Sequence, residues 1–260
     1  MATTGTLAAY RNAVRVALRN LPILLFWALV VGAVGSALSS LAADFGASLA
    51  NDGRGPSGPA DRSVLVASEL SRMVAWTFWQ GIVGALGASA AVYLWVRDAK
   101  GESTSLRESI NFALNRAGRV IPAHLKAFAM VFWGAQVFIP GLLFGLQLAF
   151  VDAVATLDDK EASPLDRSRR LTRGRRGMLA RALVPAALWW LVYSLLGLFV
   201  LKDQGMVSFA VGGALDHVVN ALMDMVLVQL YVEEVRRRVA LADAKRNAES
   251  SPASETAPES

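Results

Sequence analysis

The chain has 260 residues, 54% of them hydrophobic and 18% charged, with a formal net charge of +5. That charged fraction lies below the roughly 25% of an ordinary soluble domain, and long apolar runs put the chain in the membrane class. It has no cysteine, which excludes disulfides, thiolate metal sites and a cysteine nucleophile.

Residues 1–20 predict an amphipathic helix lying on the membrane surface. Leu7, Tyr10, Val14, Leu18 and Leu21 recur at helical spacing, and Arg11, Arg15 and Arg19 form a separate stripe. Six apolar segments follow, each near the 20 residues that cross a bilayer: Leu21–Ala43, Met73–Val96, Ile121–Ile139, Gly141–Leu157, Met178–Leu201 and Met206–Val232. The first is too long for the apolar core of a signal peptide and reads as a retained span. As one straight helix, residues 121–157 would measure about 55 Å against a hydrocarbon core of about 30 Å. The chain therefore turns back at Pro140-Gly141, as two full spans or as a re-entrant hairpin.

Charge gives the orientation. All lysines and arginines except Arg54, Arg62, Arg72 and Lys202 fall on one side of this threading. Short basic loops stay cytoplasmic, so both termini are expected inside. Trp27, Trp76, Trp95 and Tyr231 fall toward span ends, as interfacial aromatics do.

A basic amphipathic stretch precedes each odd-numbered span. Ser105 and Glu108 fit a capping box before the third. Ser163-Pro164-Leu165-Asp166 reads as a helix start before the fifth, and Gly174 as its stop. The expected fold is all-α: six transmembrane helices in three hairpins, each preceded by a basic interfacial helix. Residues 21–235 form the membrane domain, and residues 236–260 a basic and then disordered tail. Small residues predict close helix approach: Gly32, Ser36 and Ser40; Gly81, Ala85 and Ser89; and the pair Gly141 and Gly145.

Two groups of residues could carry chemistry. Asp216, Asn220 and Asp224 recur every fourth residue, so they line one face of the sixth span, with His217 adjacent and Gln147 and Asp152 of the fourth span as candidates to face them. Charged groups in a membrane are costly and imply partners. The seam is read either as responsive to protons or cations, or as interhelical hydrogen bonding. His124 and Lys126 are explained by snorkelling. The second group is Arg167, Arg169, Arg170, Arg173, Arg175 and Arg176. It is read either as a topology determinant or as a site for anionic lipid headgroups.

Residues 140–176 read PGLLFGLQLAFVDAVATLDDKEASPLDRSRRLTRGRR. With Ser168, Leu171, Thr172, Gly174 and Arg175 of a Ser-x-x-Leu-Thr-x-Gly-Arg pattern, this stretch resembles the membrane domain of bacterial glycerophosphoryl diester phosphodiesterases and related six-span bacterial membrane proteins. The resemblance implies a helical domain of the bacterial inner membrane. Hydrolysis in that family belongs to a separate barrel, for which this chain has no room, so no catalytic residue carries over. The chain is expected to be a non-enzymatic multi-pass membrane protein without cofactor or metal, organising lipid or a membrane partner. Its partners are expected to be anionic headgroups on the cytoplasmic side, a membrane protein or a second copy of the chain, and not nucleic acid. A small transporter or channel using the sixth-span seam is the alternative. It would need a wet cavity, and no inverted repeat is visible.

Overall fold

The computed structural model describes residues 2–51, 62–135, 139–199 and 205–250, and these are all-helical. In chain order the helices are α1 (Ala2–Arg19), α2 (Leu21–Asn51), α3 (Ser63–Ala99), α4 (Leu106–Ala135), α5 (Ile139–Leu148), α6 (Val151–Leu157), α7 (Pro164–Thr172), α8 (Arg176–Phe199) and α9 (Gly205–Ser250). Four stretches are long and apolar enough to cross a membrane: α2, α3, Pro140–Leu157 across α5 and α6, and Ala210–Asn247 of α9. The other long helices are α4, with 30 residues, and α8, with 24.

Helix α9 is the central post, packed on by α1, α2, α3, α6 and α8. Its buried residues Ala221, Met225, Val226 and Leu230 join Val31, Ala91 and Phe150 in one core. The closest crossing is between α2 and α9. A Cβ added at Gly32 would stand 2.5 Å from the Gly213 carbonyl carbon and 2.7 Å from Ala214 Cα. Side-chain hydrogens alone at these glycines let the backbones meet, so the stripe of Gly32 and Ser36 is an intrachain contact.

Both α2 and α3 carry a π-helical stretch, at Ala28–Val34 and Gln80–Gly84. A π turn shifts carbonyls out of the regular ladder. The Trp79 indole N–H donates to the Val31 carbonyl at 3.0 Å, and its ring lies over Gly35. This ties the two wide turns together.

In α1 the larger apolar residues Leu7, Val14 and Leu18 are exposed, and a second, small face of Ala9, Ala13, Val16 and Ala17 is buried. Alanines allow close docking on α9, so the helix is fastened to the bundle through its small residues. Tyr10 donates to the Ala182 carbonyl, and Asn12 to Gln229 at 3.3 Å. The second interfacial helix is not separate, because α4 runs unbroken through Pro122. Gly118, four residues earlier and in open space, leaves that turn room to adjust. Trp27 and Tyr231 are buried, and the Trp27 indole donates to Ser109 Oγ at 3.2 Å. The segment after residue 235 continues as helix through Ser250; residues 251–260 of the expected disordered tail, like Arg54 and Lys202, lie outside the described residues. The Ser105–Glu108 capping box forms in both directions, at 2.8 and 3.2 Å.

Candidate functional site

The Ser-x-x-Leu-Thr-x-Gly-Arg segment is a clamp. The stretch Pro140–Leu157 is interrupted at Ala149–Phe150, between α5 and α6. Such a break leaves peptide groups to be satisfied inside the membrane. Ser168 Oγ donates to the Gln147 carbonyl at 2.9 Å and accepts from the Phe150 N–H at 3.2 Å. Thr172 Oγ1 lies 3.3 Å from the same carbonyl. Leu171 between them is fully buried. Helix α7 starts at the Ser163 cap and Pro164, as expected. Beyond it Gly174 takes a φ of +82°, a left-handed conformation that glycine adopts freely. Arg238 of α9 donates to the Arg170 and Leu171 carbonyls at 2.8 and 3.2 Å, satisfying the open C-terminal end of α7. Removing the Ser168 hydroxyl strands a buried N–H. Ser168→Ala is therefore expected to cost about 1–3 kcal/mol, read as a lowered melting temperature of the detergent-solubilised protein.

Ion pairs gather around this clamp. Arg116 and Arg119 pair with Asp159, and Arg119 donates to the Asp158 and Glu161 carbonyls. Arg167 lies 3.6 Å from Asp158, and Arg170 bonds Glu161 at 2.9 Å. Arg175 bonds the buried Glu234 at 3.0 Å, and Arg19 bonds Asp98 at 3.0 Å. Arg169 stands 3.6 Å from Asp166. The six arginines expected to form one lipid patch therefore divide. Arg167, Arg170 and Arg175 hold the protein's own carboxylates across elements. Arg173 and Arg176 are exposed without an ion-pair partner among the described residues.

The expected seam on α9 also divides. Asp216 is buried and accepts from Trp189 Nε1 at 3.2 Å and from Asn220 Nδ2 at 3.0 Å. His217 is buried against Gly87, and its Nε2 has no hydrogen-bond partner among the described residues. Asp224 lies about 12 Å further along the helix axis and meets a different pair. His124 Nδ1 of α4 lies 2.9 Å from both carboxylate oxygens of Asp152 on α6, and Asp224 is within electrostatic reach of both. Gln147 contributes its backbone carbonyl to the clamp.

Sequence reasoning missed three functional contacts. His124 was assigned to snorkelling, yet it bridges α4 and α6; no local spacing signals that pairing. Trp189 is one of many apolar residues on α8. Glu234 had a local signal that could have found it, because Arg237 and Arg238 follow at i+3 and i+4. No group of three or more His, Cys, Asp or Glu side chains able to hold a metal occurs among the described residues. Comparison with models of protein families, with curated proteins and with solved structures finds no match.

Proposed function

We propose that this chain is a non-enzymatic multi-pass protein of the bacterial inner membrane that organises lipid, with six spans in three hairpins and both termini cytoplasmic. The gathering of charged ends supports the threading. Arg19 with Asp98, Arg116 with Asp159, and Arg175 with Glu234 each join the start of one hairpin to its end. The resemblance of residues 140–176 to the phosphodiesterase membrane domain belongs to the same reading and concerns architecture alone.

The observation that carries the lipid role is a groove of ≈ 480 Å³ between α2 and α9. Leu25, Leu29, Ala33, Val211, Ala214 and Leu215 line it without a polar side chain. It runs along two membrane-crossing helices, so an acyl chain is its natural occupant. Ala33→Phe with Ala214→Phe fills the groove. The account expects phospholipid co-purified per protein to fall at least twofold, with the melting transition retained. Unchanged lipid content would remove the groove from the proposal. The second reading is transport, favoured by the His124–Asp152 pair facing Asp224. A proton or cation flux in proteoliposomes that Asp224→Asn abolishes, with folding intact, would replace the lipid role.

A further inference from the structure

We infer that the cytoplasmic junction of α1, α3 and α9 is a binding site for a zwitterionic phospholipid headgroup of the phosphoethanolamine type. This rests on the lipid-organising reading and places a headgroup site away from the Arg167–Arg176 run.

A cleft of ≈ 240 Å³ opens where these three helices meet. At about 30 Å³ per water molecule, it holds the equivalent of about eight waters, the scale of one headgroup. Arg15 and Arg236 stand on its rim with Asp98 and Glu233. With Asp98 held by Arg19, two cations and the Glu233 carboxylate remain to face one small space, and they match a ligand that carries a phosphate and an ammonium together. An anion alone would face the carboxylates, and a cation alone the guanidinium groups.

The carboxylates and the cations differ in how they are held. Asp98 is fixed by Arg19 at 3.0 Å. Glu233 accepts from Gln229 Nε2 at 2.9 Å, and Gln229 in turn accepts from Asn12 at 3.3 Å. This relay joins α1 to α9 and orients the floor. Arg15 and Arg236 are exposed and have no hydrogen-bond or ion-pair partner among the described residues. A guanidinium fork binds phosphate oxygens bidentately, so these two groups take the phosphate, and Glu233, which has no ion-pair partner among the described residues, takes the ammonium. Trp95 lines the cleft, and aromatic rings of this kind favour the headgroup level. The position along α9 agrees: the apolar stretch ends at Val232, and the cleft spans Gln229 to Arg236.

The test is native mass spectrometry of the full chain released from nanodiscs containing phosphatidylethanolamine and phosphatidylglycerol in equal amounts. The wild type is expected to retain phosphatidylethanolamine preferentially. Arg15→Ala with Arg236→Ala is expected to lose that adduct at least tenfold. Glu233→Gln is expected to shift the retained lipid toward phosphatidylglycerol, and Arg173→Ala with Arg176→Ala to leave the phosphatidylethanolamine adduct in place. Glu233→Gln keeps the test decisive if the double arginine variant fails to fold. Equal lipid retention in both cleft variants would overturn this site and leave the lipid-organising role standing. A wild type free of lipid would overturn both. Binding of free O-phosphoethanolamine as tightly as the lipid, read by calorimetry, would overturn the assignment to a membrane source.

Discussion

Gly32→Leu is expected to remove most of the folded protein from the membrane fraction. At this crossing the neighbours of a new Cβ are backbone atoms of Gly213 and Ala214, which cannot rotate aside as a side chain can. Overpacking typically costs 1–3 kcal/mol and occasionally more, and here α2 must separate from the helix on which α1, α2, α3, α6 and α8 all pack. Because the clash is with backbone on both sides, we expect about 3 kcal/mol or more, a large part of the 5–15 kcal/mol that holds a typical domain. The matched control is Gly145→Leu. Gly145 belongs to a small-residue pair by sequence, yet nothing lies within 4 Å of a Cβ there. Size-exclusion profiles after detergent extraction should show Gly32→Leu aggregated or absent and Gly145→Leu close to wild type. Equal behaviour of the two would contradict the α2–α9 crossing.

The second large effect concerns Glu234. Its side chain is 2% exposed and binds Arg175, Arg237 and Arg238 at 2.7–3.0 Å. Breaking a buried ion pair costs about 3–5 kcal/mol, but these arginines are 33–44% exposed and can recover water. The expected loss for Glu234→Gln is therefore about 2 kcal/mol. Glu234 lies two residues beyond the apolar stretch that ends at Val232. Burial pushes its carboxyl up, and the hydrogen bonds from Arg237 and Arg238 and the charges of Arg237 and Arg175 outweigh this, holding it at about 2 against an ordinary 4.5. A depressed carboxyl contributes fully above its unfolded value and loses that contribution as pH falls toward its folded value. The gap in melting temperature between wild type and Glu234→Gln should be constant above about pH 5 and close between pH 4.5 and 2. A gap independent of pH would mean that the charge of Glu234 contributes nothing.

Membrane character and the local helix signals were legible because they depend on neighbours in sequence. The Ser105–Glu108 box, the Ser163-Pro164 start and the Gly174 stop all form where the spacing puts them. The docking face of α1 was not legible, because small residues carry it and the larger apolar ones give the helical pattern. In this chain alanines and valine face the protein, and the leucines face outward. The break at Ala149–Phe150 was also hidden. Its hydrogen bonds come from Ser168 and Thr172, about twenty residues away, and no periodicity within an apolar run reports a partner on another helix. For the same reason the regular spacing of Asp216, Asn220 and Asp224 suggested one seam. Trp189 and the His124–Asp152 pair, brought by other helices, divide it into two.

The central claim is that residues 21–235 leave the cytoplasm and return three times. The chain has no cysteine, so single replacements report position without background. The measurement is labelling by a membrane-impermeant maleimide of Ser57→Cys, Ser103→Cys, Lys160→Cys, Asp203→Cys and Asn247→Cys. Ser57→Cys and Asp203→Cys should react in intact spheroplasts, and the other three only after permeabilisation. Reaction of Ser103→Cys or Lys160→Cys from outside would contradict the account, because the charged ends of all three hairpins would no longer share one side of the membrane.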